Sequence, residues 1–296
     1  TGVEATRALV RLAAERPEDV VLTGDLRSRP LALDEARAHL RTTPRAEAFG
    51  VRCLVARLGG AEVADDLAAD MRRRESKTLA ASALAALGTP GALLHVAKLL
   101  PGPEEFDVGM RDPESAAVED VVRSVPEVGV RAVAAAQAAT RVSERRRLFL
   151  LAGLAGDVAV RPALEEALQR NDERAAAVTA LRLLRDGEAA PALVRVWRTC
   201  PDRAQRRRMF EAVVDLPGPT AAVALGSMLE FPEVRAGVLI ALGERPEATA
   251  QVFRALAYAD VRPAAAAILR ERFGASAPKV DDPAVWARFR KDVESK

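Results

Sequence analysis

The sequence predicts an all-α chain, an α-solenoid of about seven stacked helical hairpins with atypical N- and C-terminal caps. Three observations carry that expectation. First, 61 of the 296 residues are alanine and only 4% are aromatic. Sheets favour β-branched and aromatic side chains, whereas alanine is the best helix former. Second, helical patterns end in Leu-Gly or Gly/Pro turns at Leu58-Gly59, Leu87-Gly88, Val125-Pro126, Leu154-Ala155-Gly156, Leu184-Arg185-Asp186-Gly187, Leu216-Pro217-Gly218 and Leu242-Gly243. Their spacings of 29, 38, 29, 30, 32 and 26 residues define a period, the mark of a repeat array. Third, each interval has one grammar: a charged start, a first helix, a turn, and a second helix that often carries Pro or Gly near its beginning.

Residues 1–43 read as an N-terminal helical cap. One helix spans 3–15 and another Leu33 to Arg41, and Pro17 to Pro30 between them reads as a loop with an extended piece at Val20-Val21-Leu22. Residues 44–273 read as the repeat array. An insertion over 101–113, from Pro101 to Pro113, accounts for the one long interval. Within it Phe106, Val108 and Met110 alternate with polar residues, so they either pack down or meet a partner, since loops often carry function. The unit at 114–140 departs most, with Val125-Pro126 in place of Leu-Gly and an Ala-rich second helix.

The clearest unit is Asp172 to Thr199. Ala177, Val178, Leu181 and Leu184 fall at i, i+1, i+4 and i+7, one face of a helix. Arg185-Asp186-Gly187 is the turn. Pro191 lies in the first turn of the next helix, where a missing N–H costs little. Leu193, Val196 and Trp197 make the second apolar stripe, and Trp197 reads as core. A lone pair of short helices cannot bury both stripes, so stacking on neighbours must complete the core. After the array, 274–296 reads as a linker to Pro283 and a last helix, Ala284 to Val293, with Trp286 and Phe289 packing back.

The segment Asp172-Glu173-Arg174-Ala175-Ala176-Ala177-Val178-Thr179-Ala180-Leu181, followed by Asp186-Gly187-Glu188-Ala189-Ala190-Pro191-Ala192-Leu193, resembles the short HEAT-like repeat of the phycobilisome-lyase type. Glu233-Val234-Arg235 with Ala241-Leu242-Gly243, Asp260-Val261-Arg262 with Ala265-Ala266, and Ala83 to Leu93 are similar to it. The resemblance covers roughly residues 44 to 273. It implies a bacterial array of stacked helical hairpins with a concave binding surface, serving as an adaptor or as the recognition part of a larger regulator. The same repeat type also occurs in chromophore-lyase partners and in helical-repeat DNA glycosylases, which makes an enzyme or enzyme subunit the alternative expectation.

The residues themselves carry little chemistry. There are 44 basic and 42 acidic side chains, and the balance holds along the chain: residues 1–148 have 22 of each. Nucleic-acid binders concentrate positive charge to neutralise phosphates, so nucleic acid is not the expected partner. Cys53 and Cys200 lie far apart and read as small buried apolar residues. His39 and His95 read as surface or edge residues, and no His, Cys, Asp or Glu set has metal-ligand spacing. Asp65, Asp66 and Asp70 share a helix and read as a solvated acidic face. No nucleophile elbow, phosphate loop or dinucleotide fingerprint occurs. No cofactor is expected, and no run reaches the roughly 18 apolar residues of a membrane span. A cytoplasmic protein is expected, although the chain opens on Thr1 rather than Met, which leaves a removed signal or an upstream domain open.

Three arginine runs, 72–74, 145–147 and 206–208, have two readings: a patch for an anionic partner, or pairing with acids of the neighbouring repeat, for which Glu144, Asp172 and Glu173 are suitably placed. The position two residues after the core apolar residue of each second helix is Ala69, Lys98, Ala135, Glu166, Arg195, Ser227 and Arg254, a chemically mixed row. It reads as a variable binding face rather than a phosphate track with stacking aromatics. The partner-binding candidates are therefore Lys98, Glu166, Arg195, Arg198, Arg254 and Tyr258, with Phe106 and Met110 of the insertion. The expected function is a non-enzymatic scaffold that binds a protein or peptide. For the glycosylase-like alternative, Trp197, Tyr258, Arg195, Arg254 and Asp260 are the residues that would have to serve.

Overall fold

The computed structural model describes residues 2–102 and 113–294. Among them the chain is all-helical, with nineteen α-helices, several short 3-10 turns and no strand. It forms two compact units, Thr1–Leu184 and Arg185–Lys296.

The first unit contains α1 (Gly2–Glu15), α2 (Val20–Arg27), α3 (Ala32–Thr42), α4 (Phe49–Arg57), α5 (Ala64–Asp70), α6 (Lys77–Leu87), α7 (Pro90–Ala97), α8 (Pro113–Ser124), α9 (Val128–Ala138), α10 (Val142–Ala155), α11 (Arg161–Ala167) and α12 (Arg174–Leu184). First helices pack side by side in the order α4, α6, α8, α10, α12, and α5, α7 and α9 do the same on their side. Leu54, Leu84, Leu93, Leu150, Leu151 and Leu181 fill the space between, each with at most 1% of its surface exposed. Burying a leucine is worth about 1.5–3 kcal/mol, so these stripes hold the helices together.

The segment Pro17–Pro30, expected as a loop with an extended piece, instead contains α2. Asp19 makes the difference: its carboxylate accepts the N–H groups of Val21 and Leu22 at 3.1 and 3.0 Å, capping the first turn. Thr23 and Leu26, three residues apart, are then buried on one face, while Val21 is left exposed. The Val-Val pair imitates a strand in local composition, but the cap before it starts a helix.

Most first helices hand over to the second through a left-handed residue. Gly156 (φ 76°) takes this position after α10, and the non-glycine residues Glu127 (φ 62°) and Arg185 (φ 55°) take it in their units. Glu127 accounts for the unit at 114–140: the left-handed position is kept there without a glycine. Several second helices then begin as a 3-10 turn. Asp157 and Asp186 start two of them, each accepting the N–H two residues on, at 3.0 and 3.1 Å. Arginines close the other end of the second helices. Arg174 and Arg235 donate to the carbonyls of Leu168 and Leu229 at 2.8 and 2.7 Å, and Arg262 does so to Leu256 at 2.8 Å. Those carbonyls end their helices and have no intrahelical donor.

The second unit contains α13 (Ala190–Thr199), α14 (Arg203–Asp215), α15 (Gly218–Met228), α16 (Pro232–Gly243), α17 (Thr249–Ala255), α18 (Arg262–Phe273) and α19 (Pro283–Glu294). α13 packs on α14 and α15, α15 on α16 and α17, and α18 on α16 and α17. Trp197 is 1% exposed, and Phe231 meets its ring edge-on at 4.9 Å. Trp286 of α19 is equally buried, beside Phe253 and Phe289 at 6.3 and 5.8 Å. Cys53 and Cys200 are both buried, and neither is in a disulfide.

Within each unit, ion pairs join residues about one period apart. Arg7 meets Glu35 at 2.9 Å and Arg37 meets Glu62 at 2.6 Å; Arg145 pairs with Glu173. In the second unit Arg206 meets Glu233 at 2.6 Å, and Arg235 meets Asp260 at 2.8 Å.

Candidate functional site

Helix α5 lies between two grooves. Of its acids, Asp65 and Asp66 are exposed, as expected of a solvated face, and Asp70 is not. Asp70 is buried, 9% exposed, and accepts Nη2 and Nε of the equally buried Arg52 at 2.6 and 3.0 Å. Asp66 meets Arg45 at 3.3 Å, and Asp65 lies 3.6 Å from Nε2 of His95 on α7. At about 100° per residue Asp70 lies beside Asp66 on the helix but one turn further on, at the C-terminal end of α5, where it meets Arg52.

One groove is lined by Arg45, Arg52, Arg73, Asp66, Asp70 and Glu75, together with small and aromatic residues. Its three cations face three carboxylates, and Arg52 and Asp70 neutralise each other outright. The other groove, about 700 Å³, lies between α5 and α7. Among the described residues Arg72, Arg74, Lys77, Lys98, His95 and Asp65 line it, and Ala68, Ala69, Met71 and Leu99 form its apolar part. Local structure explains the positions. Arg72 follows the end of α5, where its N–H bonds to the Ala69 carbonyl at 3.2 Å. Lys98 caps α7 through the Leu94 carbonyl at 3.1 Å. Positive side chains at helix C-termini complement the carbonyl ends. Ser76 Oγ donates to the Asp70 carbonyl at 2.6 Å and holds the turn that leads to Lys77 at the start of α6.

The candidates from the sequence row fare differently. Lys98 and its equivalent Ala69 both line the groove between α5 and α7. Glu166 is exposed on α11 and paired with Arg170. Arg195 and Arg254 are exposed on α13 and α17. Arg198 reaches Glu230 at 3.9 Å and lies 5.6 Å from the centre of the Phe231 ring. Tyr258 is not an open binding aromatic: Arg235 stacks on its ring at 4.2 Å while pairing with Asp260. Ala135, in the same row, is buried. Phe106 and Met110 lie outside the described residues.

The arginine runs separate the same way. Arg145 pairs with Glu173, Arg146 donates to the Asp172 carbonyl, and Arg147 donates to the carbonyls of Ala97 and Leu100 at 3.4 Å. Arg206 pairs with Glu233 and covers Trp197 at 4.2 Å, and Arg207 meets Glu211 at 2.7 Å. In run 72–74, Arg72 and Arg74 line the groove between α5 and α7. Grouping Lys77 and His95 with them was beyond the sequence reading. A signal was present, since Lys77 and Lys98 are two of only five lysines in the chain.

Several carboxyls are held below their ordinary range. Arg7 and Arg37 do this to Glu35 and Glu62 by hydrogen bonding, and Arg235 does it to Asp260. Burial pushes Glu173 up, but Arg170 and Arg145 outweigh it and leave that carboxyl lowered as well. Burial pushes the Cys53 thiol up to about 12, so it stays protonated. Among the described residues no three His, Cys, Asp or Glu side chains gather as a metal site, and no helix is long and apolar enough to cross a membrane. No family model matches the chain, and no curated protein matches it.

Proposed function

We propose that the chain is a non-enzymatic α-solenoid of HEAT-like repeats that binds a protein or peptide segment, as an adaptor or as the recognition part of a larger bacterial regulator. One observation carries this reading: the framework repeats while the exposed surface varies. Arginine-to-acid pairs recur about one period apart, and arginines close successive second helices on leucine carbonyls. The equivalent exposed positions, by contrast, are an alanine, a lysine, a glutamate and two arginines at Ala69, Lys98, Glu166, Arg195 and Arg254. A repeated framework with a variable face is how stacked helical hairpins build binding surfaces.

The alternative, a glycosylase-like enzyme, draws less support. An extruded base needs open aromatic faces and an available acid. Trp197 is buried under Arg206, Tyr258 lies under Arg235, and both oxygens of Asp260 accept from Arg235 at 2.8 Å.

Affinity capture with the tagged chain tests the proposal. The expected result is a stoichiometric protein partner whose retention is lost when exposed second-helix residues are changed. Turnover of a small molecule with no such partner would sink it.

A further inference from the structure

We propose that the groove between α4, α5 and the turn after α5 binds a free α-amino acid, its carboxylate on Arg73 and its ammonium on Asp70 and Glu75. This goes beyond the scaffold reading and does not depend on it.

The floor of the groove is preorganised. Arg52 and Asp70 are 7% and 9% exposed. Nε and Nη2 of Arg52 both donate to one oxygen of Asp70, Oδ2, at 3.0 and 2.6 Å. The other oxygen, Oδ1, accepts nothing from a described residue and is not sealed from solvent. Ser76 Oγ donates to the Asp70 carbonyl at 2.6 Å and holds the turn from behind. The guanidinium thus fixes one carboxylate oxygen and leaves its twin as an acceptor at a set position. A carboxylate this deep is poorly solvated, so an ammonium placed on Oδ1 gains a charge-assisted hydrogen bond.

The rim supplies the remaining charges. Arg73 and Glu75 are exposed and line the same groove. Neither makes an ion pair with the other or with any other described residue. Arg45 differs, since it meets Asp66 at 3.3 Å. Two opposite charges that share a groove without meeting leave space for a ligand that carries both. An arginine fork takes a carboxylate through two hydrogen bonds, and an ammonium offers three donors to the carboxylates. The balance of the lining points the same way. Three cations face three carboxylates, so a ligand of net charge leaves one group unanswered, whereas a zwitterion does not.

The apolar part of the lining sets the side chain. Phe49, Ala46 and Ala69 stand beside these charges and offer an apolar wall to an aliphatic side chain. A volume of about 700 Å³ suits a small molecule rather than a folded partner.

Isothermal calorimetry on the full chain tests the proposal with L-leucine as the probe. N-acetylleucine lacks the ammonium and leucinamide lacks the carboxylate, and both run beside it. The dipeptide Leu-Leu, whose charges lie further apart, runs as well. Leucine is expected to bind, and each blocked analogue to bind at least about tenfold more weakly. Arg73→Gln and Glu75→Gln should each weaken leucine at least about threefold. Both positions are exposed, and an unaltered helical circular dichroism spectrum and melt certify the fold of the variants. Arg254→Gln in the second unit should leave leucine binding unchanged.

Four results overturn the proposal: no leucine binding up to about 10 mM, equal binding of leucine and its blocked analogues, binding indifferent to both groove variants, or tighter binding of Leu-Leu than of leucine. None of them touches the scaffold reading, which stands or falls on capture of a protein partner.

Discussion

Glu173 has none of its surface exposed, yet it is held ionised by Arg145 and by Arg170, the latter at 2.9 Å. Its role is to pin the start of α12 to two arginines that precede it. Replacing it by Gln keeps the shape and removes the charge. Glu173→Gln is expected to lower stability by about 1–3 kcal/mol at neutral pH, since two guanidiniums lose their counter-charge. The sign of the pH effect follows from the lowered carboxyl. Its stabilisation is fully present above the unfolded carboxyl pKa and lost as pH falls through the folded value. The gap between wild type and variant in urea melts should therefore close in acid; a gap that stays constant would contradict the pairing. Arg185 makes the opposite case. It is exposed and holds φ at 55°, where a side chain is strained. Arg185→Gly relieves about 1–2 kcal/mol of left-handed strain against about 0.5–1 kcal/mol of added unfolded-state freedom. A gain of up to about 1 kcal/mol is expected, and a loss in a thermal melt would assign Arg185 a role beyond the turn. At this scale the sequence shows part of the truth. The pairing of run 145–147 with 172–173 is legible because it follows the period. The Arg52–Asp70 pair is not, because it joins two facing helices eighteen residues apart with nothing periodic to announce it.

The elements are set by how closely helices approach. A Cβ on Gly153 would lie 2.2 Å from the Ala180 carbonyl oxygen and 2.6 Å from its Cα, so α10 and α12 touch backbone to backbone there. Helix propensity alone favours alanine over glycine by about 1 kcal/mol. Packing reverses the sign, because a rigid backbone cannot yield as a side chain can. Gly153→Ala is expected to cost about 1–3 kcal/mol or more, measured by chemical denaturation, through separation of the two helices. A stabilised variant would show that the close approach does not exist in solution. Helix positions were legible in most of the chain because apolar spacing and turn residues agree. They failed at α2, where two β-branched residues outvoted the single capping Asp19. The groove between α5 and α7 was legible only in part. The repeat alignment places Ala69 and Lys98 at equivalent positions, and both line it. Arg72, Arg74 and Lys77 reach it from the turn between repeats, where side-chain direction depends on a backbone path that periodicity does not describe.

On the scale of the whole chain, the notable quantity is the near-cancellation of 44 cations and 42 anions, much of it arranged as arginine-to-acid pairs. Exposed pairs of this kind contribute little each, so the helices rest mainly on buried Ala, Leu and Val. The pairs nevertheless set the response to acid. Glu35, Glu62, Glu173, Glu233 and Asp260 all have folded pKa values below their ordinary ones; the backbone N–H of Glu233 itself acts first on Glu233, and arginines act on every member. Near pH 4 the unfolded chain therefore binds more protons than the folded one, and stability rises with pH through that range. Above the unfolded carboxyl values, roughly pH 4–4.5, the contribution is complete and the curve flattens. Below them it disappears, and the cations lose the negative charge that balances them across the chain. The urea midpoint should hold steady from about pH 8 to about pH 5.5 and fall steeply below about pH 4.5. Moderate salt should soften the acid decline, because screening reduces the repulsion among the unopposed arginines. A midpoint unchanged down to about pH 3 would mean that the paired carboxylates are no more acidic in the fold than in the unfolded chain, and the period-spaced pairs would then be contacts without thermodynamic weight.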